Sequence, residues 1–201
     1  MSKIYFCLIG MLLIAVAVGC SPTPKENALT LVNAGAVESE MLERIRAYAQ
    51  SQLRVPVRAI EDQSLAGQVD FQALEKSAGN VKSDADVTFI VLTGINKESE
   101  PLKVFEESGV AIVNVKPLYI DDSEKFGLRV ERMVMRAAAF SFGLPPTPDP
   151  YCVTRNYNSL EDLDRMGRNY SPPWQARYAE EAAARGLVAP KIDVPDFPKA
   201  P

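Results

Sequence analysis

The chain reads as an α/β protein of one domain, and three observations predict that class. Four short runs rich in valine, isoleucine and leucine stand apart in the sequence: Leu29 to Val32, Val55 to Ile60, Val87 to Leu92 and Val110 to Val115. Strands buried on both faces of a parallel sheet read as unbroken apolar runs, so these four predict a mixed and mostly parallel sheet. The second observation is a helical stripe between the first two runs, and the third is another after the last. Residues 28–187 form the domain, a length that supports a real core.

The chain opens with a secretory signal over residues 1–19, in which Lys3 precedes an apolar run from Ile4 to Val18 that ends in small residues. Ala17-Val18-Gly19-Cys20 resembles the lipobox of bacterial lipoproteins, which implies acylation of Cys20. The other reading is an ordinary signal with Cys20 as a spare thiol. The small residues before it, and Ser21-Pro22-Thr23-Pro24 after it, favour lipidation and a tether over residues 20–27. Several acyl chains on one residue hold a protein firmly to a bilayer. Serine rather than aspartate after the cysteine resembles the pattern sent to the outer membrane. The expected location is therefore the bacterial cell envelope, lipid-anchored at the outer membrane and facing the periplasm.

Within the domain, Met41, Leu42, Ile45, Ala49 and Leu53 recur at helical spacing, with Ser39 placed to cap the helix that crosses from the first strand to the second. Phe71 to Ala78 is a shorter helical pattern. Glu98, Glu100, Glu106 and Glu107 mark a solvated acidic loop between the third and fourth strands. Val130, Met133, Val134, Ala137, Ala138 and Ser141 then share one face of a long helix, which Gly143 ends and Pro145-Pro146 prevents from resuming. Tyr151, Tyr157, Tyr170 and Trp174 follow in a polar, proline-punctuated stretch, as packing or as binding hot spots. Val188 to Pro201, with four prolines, reads as an extended tail.

Composition excludes several functions. Histidine is absent, and the formal charge is −4 with 22 basic and 26 acidic residues. Loss of Lys3 with the signal makes it −5, which gives no electrostatic footprint for nucleic acid. No glycine-rich phosphate loop, serine-nucleophile elbow or histidine-paired thiol is present. Cys7 leaves with the signal and Cys20 is expected as a thioether, so Cys152 is the remaining thiol and no internal disulfide forms. Cys152 is a residual metal ligand, a reactive thiol, an intermolecular bridge or a small buried hydrophobe, and we read it as the last.

The segment Arg136-Ala137-Ala138-Ala139-Phe140-Ser141-Phe142-Gly143-Leu144-Pro145-Pro146 is similar to the zinc helix of metzincins, H-E-x-x-H-x-x-G-x-x-H, with the zinc chemistry removed. Gly143 keeps the turn. Arg136 and Phe140 stand at the first two ligand positions, Ala137 at the general base and Pro146 at the third ligand. Zinc catalysis needs neutral nitrogen, thiolate or carboxylate donors and a base for the bound water, and arginine is a permanent cation.

Ala28-Leu29-Thr30-Leu31-Val32, Val37 to Leu42, Val55-Pro56-Val57, Asp84 to Asn96 and Gly109 to Val115 look, in that order, like the opening and middle elements of archaemetzincins. That family carries a second, cysteine-bound zinc. Here Thr147 stands at its first cysteine, Cys152 matches the second, Thr154 replaces a methionine, and Ser171 and Trp174 flank Pro172-Pro173 where a C-x-x-C would lie. Ser159 to Asp164 resembles the linker to that pair.

The resemblance implies a single-domain metzincin-like fold, with a long helix early in the chain, a degenerate active-site helix after the sheet, no metal and no cofactor. Phe140 is read as filling space once open to metal, and Arg136 as a rim charge or an anchor for a carboxylate. Glu131, Asp149, Cys152 and Asp164 lack ligand spacing, and each carboxylate is read as a solvated surface group. The expected function is a catalytically inactive, membrane-tethered module that holds a peptide or protein beside an exposed sheet edge. The alternatives are a purely structural envelope lipoprotein with a filled cleft, and a hydrolase with a remade metal site.

Overall fold

The computed structural model describes residues 26–188; the signal, Cys20 and the tail beyond Val188 lie outside the described residues. Five strands form one sheet: β1 (Ala28–Asn33), β2 (Val57–Glu61), β3 (Asp86–Thr93), β4 (Leu102–Phe105) and β5 (Val110–Asn114), in the order β2-β1-β3-β5-β4. β2, β1, β3 and β5 run parallel, while β4 lies antiparallel to β5 with Leu102 opposite Val113 and Phe105 opposite Val110. The expected mixed, mostly parallel α/β sheet is therefore present. β4 was not foreseen: it lies inside the segment read as an acidic loop, and an exposed lysine among three half-exposed residues, between proline and glutamate, carries little periodicity.

The helices cross over both faces. α1 (Ser39–Leu53) runs from β1 to β2 and buries Leu42, Ile45, Ala49 and Leu53. Ser39 is not its cap. Glu38 holds the cap position in extended conformation without a side-chain bond, and the Ser39 hydroxyl donates to the Glu61 carboxylate. α2 (Phe71–Val81) is capped by Asp70, which accepts from the Ala73 N–H, and buries Phe71, Leu74 and Ala78. α3 (Ser123–Ser141) starts seven residues ahead of the stripe that marked it, at an Asp122 cap. α4 (Leu160–Arg165) follows a Ser159 cap, and α5 (Pro172–Ala184) begins on two prolines, which the first helical turn tolerates because its N–H groups lack partners anyway.

Alternation along the parallel strands makes two cores. Leu29, Leu31, Ile90, Leu92, Ala111 and Val113 pack against α1 and α3. Val32, Phe89, Val91, Val110 and Ile112 meet Leu65, Phe71, Leu74 and Ala78 on the opposite face. At one pole the ends of the domain meet, where the Asn27 amide reaches the carbonyls of Arg185 and Gly186 at 3.5 Å.

α3 is buried nearly all round, and it is buried with its charges. Glu131 is 1% exposed and accepts from Arg44 and Arg168. Arg129 forks onto Asp164 with two bonds of 2.8 Å and donates a third to Leu118 O, while Lys125 lies 3.0 Å from the same carboxylate. Arg132 donates to the carbonyl of Met166. Glu131 and Asp164 are thus corrected from solvated surface groups to buried or nearly buried partners of arginine. Their partners lie far away in sequence, so local pattern carried no sign of the pairing.

The Arg129 bonds, with Lys125 beside them, hold the Asp164 carboxyl at about 2, below its usual 3.8. A depressed carboxylate pKa contributes stability that is complete above the unfolded value and is lost as pH falls through the folded one. About 2 kcal/mol should therefore disappear between roughly pH 4 and pH 2. Asp164→Asn should remove that acid dependence and cost about 3 kcal/mol at neutral pH by stranding a buried guanidinium, as read by denaturant unfolding at several pH values.

Candidate functional site

The last two turns of α3 carry the degenerate positions. Arg136 is 7% exposed, and its Nη1 donates to the carbonyls of Val153 at 2.8 Å and Arg155 at 2.5 Å. The rings of Phe140 and Tyr157 each lie 5.0 Å from its guanidinium carbon. Arg136 is therefore not a rim charge: among the described residues it has no acidic partner, and backbone dipoles and aromatic faces balance its charge. Burial pushes its pKa below the ordinary arginine value, with Tyr157 and Cys152 opposing. Burial likewise raises the Tyr157 hydroxyl, with Arg136 opposing.

Ala137 is fully buried in the core, Phe140 is half-buried, and Pro146 is exposed in the loop beyond Gly143. Gly143, at φ 73°, ends the helix as its place in the sequence required, and Leu144 N–H closes the turn onto Ala139 O. Asp149, half-buried, lies in the turn that follows, where it accepts from the Tyr151 N–H.

The residues that the resemblance sets at a second metal are also tied up. Cys152 is buried, with its Sγ 3.1 Å from Thr154 Oγ1 and accepting the Ser171 N–H at 3.3 Å. Thr147 is buried and bonds within its own turn, accepting from the Asp149 N–H. Trp174 is half-buried and ties α5 to the loop after α3 by donating to Pro145 O at 2.9 Å, with Arg177 over its ring. Of the two readings for Trp174, packing or binding, this contact gives it the packing one. Cys152 and Ser171 are thus in contact, Thr147 bonds locally, and Trp174 reaches Pro145 instead of the thiol.

These residues do not fit zinc. The first site offers a guanidinium, a methyl, a phenyl ring and a proline, and the second offers one thiol engaged by two neighbours. Among the described residues, no group of three or more histidine, cysteine, aspartate or glutamate side chains could hold a metal ion.

Beside the helix runs an open groove. Glu100 to Val104 on one side, and Arg136, Phe140 and Tyr157 on the other, line a cleft of about 410 Å³. β4 is one of the two edges of the sheet, β2 being the other. Asn114 N–H donates to Pro101 O at 3.0 Å, and bonded pairs alternate in an antiparallel ladder. Lys103 and Phe105 therefore pair inward, while Leu102 and Val104 turn their N–H and C=O groups to the open edge. An exposed sheet edge was expected from the resemblance, but β4 itself was read as solvated loop, and Tyr157, noted only as one of several aromatics, was left without a place.

The domain thus sets a long helix that ends in a glycine turn beside the antiparallel edge strand of a mostly parallel sheet. No family model and no curated protein matches the chain. Among solved structures, archaemetzincin from Methanopyrus kandleri superposes with a TM-score of 0.64 at 20% identity, covering 81% of this chain and 98% of its own. A zinc-dependent peptidase from Methanocorpusculum labreanum gives 0.60 at 15% identity, and archaemetzincin from Archaeoglobus fulgidus, complexed with malonate, gives 0.57 at 16%. Each of these two covers 75% of this chain and 99% of its own length. The fold is the archaemetzincin fold.

Arg136→Met should keep the stem packed between the two rings but leave the Val153 and Arg155 carbonyls without their donor. The expected loss is about 2 kcal/mol in denaturant unfolding, with hydrogen exchange accelerating first over residues 147–158.

Proposed function

We propose that this protein is a catalytically inactive, archaemetzincin-like lipoprotein of the bacterial envelope, anchored through Cys20, that holds an extended peptide or a partner's strand without cutting it. The donor set carries the inactive half of the reading. A buried arginine bonded to two carbonyls occupies the place of the first zinc ligand, and alanine occupies that of the base, so no group there can activate water. The groove under β4 carries the binding half. Leu102 and Val104 offer backbone groups to an incoming strand, and Phe140 and Tyr157 offer apolar contact for its alternate side chains.

A filled cleft would have favoured a purely structural role. Arg136 does close the inner part, yet the outer groove along β4 stays open, and an unpaired edge beside an aromatic wall favours strand addition.

Two measurements on the chain from Ser21 onward test the proposal. Elemental mass spectrometry of protein purified without a metal-binding tag should find no stoichiometric zinc or other transition metal. Peptides selected from an extended-peptide library should bind and be recovered uncut. Val104→Pro removes an outward N–H while sparing the ladder to β5, so it should abolish capture and leave the melting temperature within a few degrees of the parent. Stoichiometric metal or cleaved peptide would overturn the inactive reading, and capture unaffected by Val104→Pro would overturn strand addition.

A further inference from the structure

The strand order places a second crevice where the edge-strand reading makes no use of it. The chain goes from β1 to β2 on one side and then crosses to β3 on the other, so the connections leaving β1 and β3 diverge at their carboxyl ends. In open α/β sheets such a switch point leaves a gap that ligands occupy. Here it is a cavity of about 620 Å³, within the range of small-molecule sites. Its wall comes from the residues just past β1, β3 and β5: Ala34 to Ala36, Thr93 and Gly94, and Val115 and Lys116.

Three features give the cavity a chemistry. First, its backbone donors are sorted. Asn33 Oδ1 accepts the Ala36 and Val37 N–H groups, and Asn114 Oδ1 accepts those of Ile95 and Lys116. The amides of Gly35 and Gly94, between these tied positions, have no partner among the described residues. Both glycines have a structural reason. Gly35 sits at φ 74°, and a Cβ on Gly94 would lie 3.3 Å from Lys116 Cε.

Second, that contact puts the Lys116 chain across Gly94, and among the described residues no carboxylate pairs with its ammonium. Third, the flank is aromatic. Tyr119 is 65% exposed, stands edge to face with Phe126 at 5.8 Å, and lines the crevice with it. The carboxylates of Glu38 and Asp121 belong to an adjoining hollow that shares Gly35, Ala36, Tyr119 and Phe126, so their repulsion reaches Gly35 as well as the aromatic flank, and the Lys116 ammonium has to offset it.

We propose that this crevice binds a small molecule that joins an oxyanion, carboxylate or phosphate, to a flat apolar body. The oxyanion takes the Gly35 and Gly94 amides and Lys116, and the flat body lies against Tyr119. The site is separate from the groove under β4. Phe126 in the first turn of α3 lines the crevice and Arg136 lines the groove, ten residues and about 15 Å farther along the helix.

Phenyl phosphate is the probe, titrated into the full chain in detergent micelles with amide resonances followed by NMR. Saturable shifts at Gly35 and Gly94 are expected, with inorganic phosphate and phenol each binding the same place more weakly. Lys116→Ala should weaken phenyl phosphate about tenfold. Gly94→Ala keeps every charge but puts a methyl against the lysine chain, and should also weaken binding; Lys103→Ala, at another exposed lysine, should leave it unchanged. The proposal is overturned by absent or unsaturable shifts at Gly35 and Gly94, by wild-type affinity in Lys116→Ala, by phenol alone matching phenyl phosphate, or by shifts spread over exposed lysines as an adventitious ion would give.

Discussion

Three arginines on one helix hold the irregular half of this protein together. Arg129, Arg132 and Arg136 point from α3 into the segment that follows it. There they take up the carbonyls of Met166, Val153 and Arg155 and the carboxylate of Asp164, while Arg129 also takes the Leu118 carbonyl ahead of the helix. That segment has a single short helix, α4, and a long stretch of turns whose backbone groups must find partners if they are to be buried. A guanidinium suits the task because it is a fixed planar fork with five donors and keeps its charge when desolvated. The cross-link is a set of charge-assisted hydrogen bonds spread over a long stretch of chain.

How much of this was legible in the sequence depended on how local each signal was. The parallel strands and α1 announced themselves because burial on one or two faces fixes a period, and Gly143 marked its turn because few residues tolerate that backbone. β4 was hidden because an edge strand needs few apolar residues and sits among acidic ones. The start of α3 was hidden because Lys125, Gly127 and Arg129 interrupt the apolar pattern of its first two turns, and only a distant partner, Asp164, makes the Arg129 charge compatible with burial. Arg136 showed where zinc was impossible, but its real partners are main-chain carbonyls, which no residue identity encodes.

The helix thus serves two neighbourhoods through its two ends. Near Asp122 it sits beside the glycine-floored crevice at the strand ends, and near Ser141 it forms one wall of the groove along β4. The crevice adds loop residues just past the strands to one end of α3, and the groove adds the edge strand β4 and Tyr157 to the other.

The meeting of Asn27 with Arg185 and Gly186 sets a compass for the molecule. Chain entry and chain exit share one pole, at the amino ends of the parallel strands, and the glycine-floored crevice occupies the opposite pole, about 20 Å away along six residues of β1. A leash tied just ahead of Asn27 would hang the domain with its crevice turned outward, like a lamp hung by its base. Joining the two ends by a short linker and cutting a distant loop should leave such a domain able to fold, but the same leash would then present a different pole.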